Sequence, residues 1–143
     1  MKTVDLELGD ARPVTDLLPV LRQLRPRLTE DLFREVCEEG HGQGLRFTAS
    51  YGDDGVCVGA AGWRMVSNTS ALRKLSIDDL VTTQESRSTS VGRHLLSYLE
   101  GKARELGCRS LELDSGTRCT DAHRFSLRER MDITAFPFVK RLG

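Results

Sequence analysis

The sequence predicts an α/β protein of the α+β type: a mixed, mostly antiparallel, twisted sheet flanked by helices. Three patterns carry that expectation. Residues 45–66 alternate on both sides of Gly52-Asp53-Asp54-Gly55, which reads as a β-hairpin. Between residues 73–82 and 91–106 the apolar period changes from two to 3.6, and a short strand at Leu111 and Leu113 follows, so a β–α–β crossover sits beside the hairpin. The full order, β, α, α, β, β, β, α, β, α, β, joins an antiparallel meander to that crossover, which neither a Rossmann fold nor a pure sandwich supplies.

Taken in order, Val4, Leu6 and Leu8 alternate as a first strand. Pro13 opens a helical stretch with Val14, Leu17, Leu18, Leu21 and Leu24 on one side, and Pro26 interrupts it. Thr29 is the expected N-cap of a second helix whose stripe is Leu32, Phe33, Val36 and Cys37, with Gly40 as a stop. The hairpin pairs Leu45, Phe47, Ala49 and Tyr51 with Val56, Val58 and Ala60. In the next strand Leu75, Ile77 and Val81 share a face. Val91, Leu95, Leu96, Leu99, Ala103 and Leu106 form the stripe of the long helix, closed by Gly107. A helix near 121–130 starts at Thr120 or Asp121, and extended residues 133–141 close the chain, with Pro137 marking an edge or bulge.

Composition narrows the functional classes. With 143 residues, 38% hydrophobic and 29% charged, the chain suits one globular domain, 1–143, that needs no metal or disulfide to build its core. Lys and Arg balance Asp and Glu at 21 each, so no basic excess points to nucleic acid. The apolar runs fall short of the ~20 residues of a membrane helix, and the acidic first residues are unlike a signal peptide. Cys37, Cys57, Cys108 and Cys119 are widely spaced and lack metal-ligand spacing with His41, His94 and His123, which favours reduced thiols, no metal and a cytoplasmic location.

The segment richest in chemistry is 75–106. A strand, Leu75 to Val81, feeds the small-residue loop Thr82-Thr83-Gln84-Glu85-Ser86-Arg87-Ser88-Thr89-Ser90, which opens into the long helix. Unpaired N–H groups and the helix dipole favour an anion at Ser88 to Arg93, and Arg87 and Arg93 add positive charge. A plain β–α connection with solvated arginines has the same composition.

Arg87-Ser88-Thr89-Ser90-Val91-Gly92 resembles the Arg/Gln-x-x-Gly-x-Gly/Ala motif of the GCN5-related N-acetyltransferases (GNAT). Ile77 to Val81 looks like that family's fourth strand, Leu95-Leu96 with Gly107-Cys108 like the helix and turn after it, and Leu111 to Ser115 like its fifth strand. Asp121 to Met131 resembles its final helix motif, commonly Ala-x-x-Phe-Tyr-x-x-x-Gly-Phe. The resemblance implies a GNAT fold and transfer of an acetyl group from acetyl-CoA, or another acyl-CoA, to a small amine. It implies cofactor contacts from Leu80, Val81 and Thr82, where the strand splays from its neighbour, and from Arg87, Ser88, Thr89, Ser90, Val91, Gly92 and Arg93. A backbone N–H near Leu80 or Val81 would reach the thioester oxygen. It also implies an acceptor between residues 14–40 and the hairpin, and homodimers through terminal strands are frequent in such relatives.

A carboxylate on the fourth strand often takes the amine's proton in that family. By strict alternation Asp79 falls on the Leu75–Ile77–Val81 face, where desolvation would raise its pKa and suit it as base, and Asp78 falls on the other. A bulge exposing both, or a paired structural acid, is the other reading. Glu30, Asp31, Glu35, Glu38 and Glu39 would attract a cationic amine or simply form a solvated helix face.

Three departures bear on the chemistry. Ser90 stands where the motif has glycine, which costs on the order of 1 kcal/mol if the position needs positive φ or close approach to phosphate, unless its hydroxyl donates to the phosphate. Ser126 aligns with the tyrosine that protonates the departing thiolate in many relatives, and a serine hydroxyl is shorter and far less acidic than phenol. Arg130 and Met131 replace Gly-Phe. The alternative to an enzyme is therefore a non-catalytic acyl-CoA-binding protein. Tyr98, Trp63 and Tyr51 read as packing residues before they read as a replacement acid. Cys119 has a nucleophile's residue type and no His partner that the sequence can place beside it.

Overall fold

In the computed structural model, described for residues 1–7, 9–87 and 90–143, five strands form one sheet in sequence order. They are β1 (Lys2–Leu6), β2 (Arg46–Tyr51), β3 (Cys57–Val66), β4 (Lys74–Thr82) and β5 (Ser110–Leu113). The first four pair antiparallel and β5 joins β4 in parallel through helix α3 (Val91–Glu105). Helices α1 (Leu18–Leu24) and α2 (Glu30–Gly42) cover one face, while α3 covers the other with α4 (Thr120–Arg128) beside it. The mixed, mostly antiparallel architecture is the one the sequence predicts; Leu8, expected to extend the first strand, lies outside the described residues.

Local chemistry explains the element ends. Pro19 has no N–H and its ring crowds the carbonyl four residues back, and the chain answers with a π-helical turn over Pro13–Leu17 before α1 begins. Arg25, forced toward extended backbone by Pro26, ends α1 at φ −123°, ψ 77°. Thr29 caps α2 as expected, its hydroxyl accepting from the Leu32 N–H at 3.2 Å. Gly40 is not the stop: α2 continues to Gly42, and Gly40 is buried where a Cβ would meet Leu45 at 2.6 Å.

Two apolar cores lie on opposite faces of the sheet. One joins Leu17, Leu21, Phe33, Phe47, Ala49, Ala60 and Val81 under α1 and α2. The other joins Ala61, Trp63, Leu75, Ile77, Leu95, Leu96 and Leu99 under α3. On the α3 side a chain of hydrogen bonds, buried at its Trp63 end, ties strands to helix: Trp63 Nε1 donates to Thr48 Oγ1 at 2.9 Å, Thr48 Oγ1 donates to Asp5 Oδ1 at 2.7 Å, and Lys102 Nζ meets Asp5 Oδ2 at 2.7 Å. Thr48 is fully buried, so its hydroxyl satisfies the indole in a place water does not reach.

The expected last strand is absent. Residues 131–143 pair with no strand, and Ile133, Phe136, Phe138, Val139 and Leu142 are exposed. Pro137 cannot donate to a ladder, and four-residue β5 offers a short template.

Candidate active site

The site is built on β4, and a register shift decides its geometry. Opposite β3, Gly62 pairs with Asp79 but Trp63 pairs with Ile77, leaving Asp78 as an extra residue in β4. Side-chain parity changes there. Leu75 and Ile77 enter the core under α3, whereas Val81 enters the core under α1 and α2, and Leu80 packs on the α3 side. Strict alternation across Leu75, Ile77, Asp79 and Val81 therefore fails. The bulge brings Asp78 and Asp79 to one wall of the same cavity, on the α1–α2 face.

Both carboxylates are paired. Arg25, at the end of α1, donates from Nε and Nη2 to Asp79 Oδ1 at 3.1 and 3.0 Å. Arg64 of β3 donates from Nε to Asp78 Oδ2 at 2.8 Å and from Nη1 to Gln43 Oε1 at 3.3 Å. Each pair is partly open to water, which keeps its contribution to stability near ~0–1 kcal/mol and leaves the partners exchangeable. Gly62 makes room for this bend. A Cβ there would lie 3.1 Å from Phe47 Cε1 and 3.4 Å from Asp79 Oδ2.

The cavity has a volume of about 670 Å³ and lies between α1–α2 and β3–β4, in the region the resemblance implies for an acceptor. Its body is apolar, with Phe33 and Phe47 edge to face at 5.6 Å, and Leu32 and Val36 half exposed at its rim. None of Glu30, Asp31, Glu35, Glu38 and Glu39 lines it; α2 turns its apolar stripe inward and those acids outward.

Beyond the bulge β4 also loses a neighbour. The parallel pairing to β5 runs from Lys74↔Ser110 to Ile77↔Leu113 and stops, so Leu80, Val81 and Thr82 pair only with β3. At the end of β4 the loop leads through a 3₁₀ turn (Gln84–Ser86), where Gln23 Oε1 accepts from the Gln84 N–H at 2.8 Å, into the N-terminus of α3. Ser88 and Thr89 lie outside the described residues. Arg87 and Ser90 are exposed, and Arg93 is bonded to Glu129, just past the end of α4, at 2.9 Å. Ser90 sits at φ −84°, ψ 13°, so serine meets no left-handed strain there, and its side chain does not cap the helix. Gly92 is needed for a packing reason: a Cβ would lie 3.3 Å from the Phe125 ring.

The departure at Arg130 is structural. Arg130 adopts φ +65°, just past the end of α4, where Arg130 N–H bonds Leu127 O at 3.1 Å and Met131 N–H bonds Ser126 O at 3.0 Å. This is a Schellman turn whose left-handed position favours glycine. Ser126 donates its hydroxyl to the Ala122 carbonyl of its own helix at 2.9 Å.

The other residues weighed from sequence stand apart. Tyr51 donates to Asp16 Oδ2 at 2.7 Å, and burial, then that carboxylate, push its pKa well up, so it holds its proton. Burial first, and Asp5 after it, likewise raise Tyr98, whose ring lies 5.6 Å from Lys102 Nζ. Burial pushes the Cys57 thiol up to about 11, which keeps it inert, and Cys119 is exposed. His123 Nε2 lies 2.7 Å from the Gly116 carbonyl. Among the described residues no cluster of three His, Cys, Asp or Glu side chains could hold a metal, and no helix is long and apolar enough to cross a membrane. Sequence reasoning missed Arg25 and Arg64. The one local signal was Asp78-Asp79 itself, two acids in succession inside an otherwise alternating strand.

Comparison with known proteins agrees with this fold. Residues 14–128 match the acetyltransferase (GNAT) family profile. The chain is 38% identical over 66 residues to an aminoalkylphosphonate N-acetyltransferase of Salmonella typhimurium, covering 46% of this chain and 43% of that protein. It is 47% identical over 51 residues to an uncharacterised N-acetyltransferase of Bacillus subtilis, covering 36% of each. The aligned parts thus span less than half of either relative. Among solved structures, an acetyltransferase of Trypanosoma brucei superposes with a TM-score of 0.76 at 20% identity, covering 99% of both chains. The aminoglycoside acetyltransferase AAC(6')-Iy, in complex with a bisubstrate analogue, gives 0.83 at 16% identity over 99% of this chain and 97% of its own. A profile match over most of the length, with the same fold throughout, shows that this chain belongs to the acetyltransferase (GNAT) family.

Proposed function

We propose that residues 1–143 form one domain that transfers an acetyl group from acetyl-CoA directly to the nitrogen of a small amine, in the cytoplasm and without metal, nucleic acid or membrane. The observation that carries this reading is the single-sided pairing of β4 after its bulge: a strand with a free side at Leu80, Val81 and Thr82, adjoining a cavity walled by two carboxylates. The named relatives are N-acetyltransferases, one for aminoalkylphosphonates, which supports an amine acceptor.

The residues suit an acyl-CoA. The start of α3, with its dipole and Arg87, favours phosphate at Arg87, Ser88, Thr89, Ser90, Val91, Gly92 and Arg93, and Ser90 reaches this turn without backbone strain. A free strand side at Leu80, Val81 and Thr82 suits the amide-bearing arm, and an N–H at Leu80 or Val81 is the donor to the thioester oxygen. Asp79 accepts the proton of the incoming ammonium once Arg25 gives way, with Asp78 and its partner Arg64 beside it. The new C–N bond forms as the C–S bond breaks, the nitrogen loses its second proton, and the thiolate takes up one to leave as free CoA.

The second reading, a non-catalytic acyl-CoA-binding protein, rests on Ser126. Its hydroxyl is turned to the Ala122 carbonyl, and of the chain's two tyrosines Tyr51 bonds Asp16 and Tyr98 lies against Lys102. Direct departure of the thiolate is compatible with catalysis because a thiolate is already a good leaving group. Calorimetric titration with acetyl-CoA, followed by thiol-release assays of the native chain and Ser126→Tyr with a panel of amines, separates the readings. Binding with turnover supports the enzyme; binding with no turnover in either protein supports the accessory role; no binding removes both.

The same reading includes a homodimer. The apolar terminal residues 133–142 are exposed and the outer edge of β5 has no partner strand among the described residues, a pairing two copies would supply. Sedimentation velocity of the full chain tests it against removal of residues 133–143.

A further inference from the structure

We infer that the acceptor is a primary amine with an apolar body, an arylalkyl or branched alkyl amine, and not a phosphonate-bearing or polyhydroxylated one. The inference rests on the acetyl-transfer reading and adds the substrate class to it.

The cavity has two ends of different chemistry. At one end lie Asp78 and Asp79, next to the free side of β4. Apart from Arg25, Arg27 and Arg64, the rest is hydrocarbon: Phe33 and Phe47 at the base, with Leu32 and Val36 along α2 at the rim. Leu32 and Val36 are 48% and 46% exposed, an unusual state for the apolar stripe of an amphipathic helix, and they face the same cavity. A ligand with one cationic head and a flat or branched hydrocarbon body satisfies both ends at once. Its ammonium replaces Arg25 as the partner of Asp79, and its body covers side chains that otherwise meet water.

Other acceptor classes fit less well. An aminoglycoside would press hydroxyls against Leu32, Val36 and Phe33, which offer them no hydrogen-bond partner. A phosphonate or carboxylate would meet Arg27, or draw Arg25 or Arg64 from aspartates they hold at 3.0 and 2.8 Å, and would leave the hydrocarbon of Leu32 and Val36 uncovered. The acids of α2, which would attract a polycation, point away from the cavity. The volume, about 670 Å³, accommodates a phenyl or branched alkyl group with its linker.

The test is acetylation, with acetyl-CoA, of 2-phenylethylamine and isoamylamine against 2-aminoethylphosphonate, ethanolamine and kanamycin, read by thiol release and by mass spectrometry of the acetylated amine. Calorimetry with acetyl-CoA runs in parallel. The expected result is a kcat/KM for the two apolar amines at least tenfold above the others. Leu32→Glu, at an exposed helix position, should raise KM for 2-phenylethylamine at least tenfold while acetyl-CoA binds as before. A preference for 2-aminoethylphosphonate or kanamycin, or an unchanged KM in Leu32→Glu, overturns the apolar-body inference and leaves acetyl transfer standing. Acetyl-CoA binding with none of the five amines acetylated also overturns it. Absence of acetyl-CoA binding removes the transfer reading, and this inference with it.

Discussion

The two halves of β4 share a backbone and differ in everything else. Before the bulge, residues 74–77 are hydrogen-bonded on both sides, to β3 and to β5, and their apolar side chains are sealed under α3. After it, residues 79–82 keep only β3, Asp79 and Val81 face the opposite layer, and the segment adjoins an apolar cavity with two ion pairs at its end. The first half is scaffold and the second is site. One extra residue, Asp78, makes the difference, because an insertion into a period-two element exchanges its faces and bends it away from its neighbour. A strand fully paired on both sides has no backbone group left to offer a ligand. The bulge is thus the cheapest local way to make a binding edge in the middle of a sheet.

That contrast can be broken in a definite order. Leu75→Ala, in the scaffold half, removes a fully buried side chain and should cost about 2–5 kcal/mol, read as a drop in the urea midpoint. Asp79→Asn, four residues on, should do the reverse: acetyl transfer falls on the order of 100-fold, while stability changes by less than about 1 kcal/mol because its ion pair with Arg25 is open to water. If Asp79→Asn unfolds the chain instead, the division into scaffold and site is wrong. Gly62→Ala acts at the boundary itself. Its Cβ would crowd Phe47 and Asp79, with an expected loss of about 1–3 kcal/mol and a weaker response to the apolar amine than to acetyl-CoA in binding assays. The smallest effect is expected away from β4. Arg130→Gly should raise stability by about 1 kcal/mol by relieving a left-handed residue, with the rate of transfer unchanged. A change in rate there would give α4 a part in the chemistry that its geometry does not.

The departures from the family motif read differently once placed. Ser90, suspect in the sequence because glycine is expected there, has an ordinary backbone conformation, so no left-handed strain attaches to it. Arg130 does occupy a glycine-requiring conformation, and the sequence signals only that a familiar residue is missing. Ser126 is turned into its own helix. Motif comparison identifies such positions without ranking them, because the cost of a substitution is set by φ and by neighbours more than by the letter.

The sequence by itself determined the element order as far as α4, the hairpin at Gly52–Gly55, the amphipathic stripe of α3 and the family resemblance, since each rests on local periodicity, turn chemistry or a contiguous motif. Only the tertiary structure decided which face Asp79 occupies, that Arg25 and Arg64 hold the two aspartates, that α2 lends the cavity Leu32 and Val36 and not its acids, and that residues 133–141 form no strand. The reason is one of range. Arg25 and Asp79 are 54 positions apart, and the register shift exists only as a relation between β3 and β4. Nothing in either strand alone fixes how the other will sit against it.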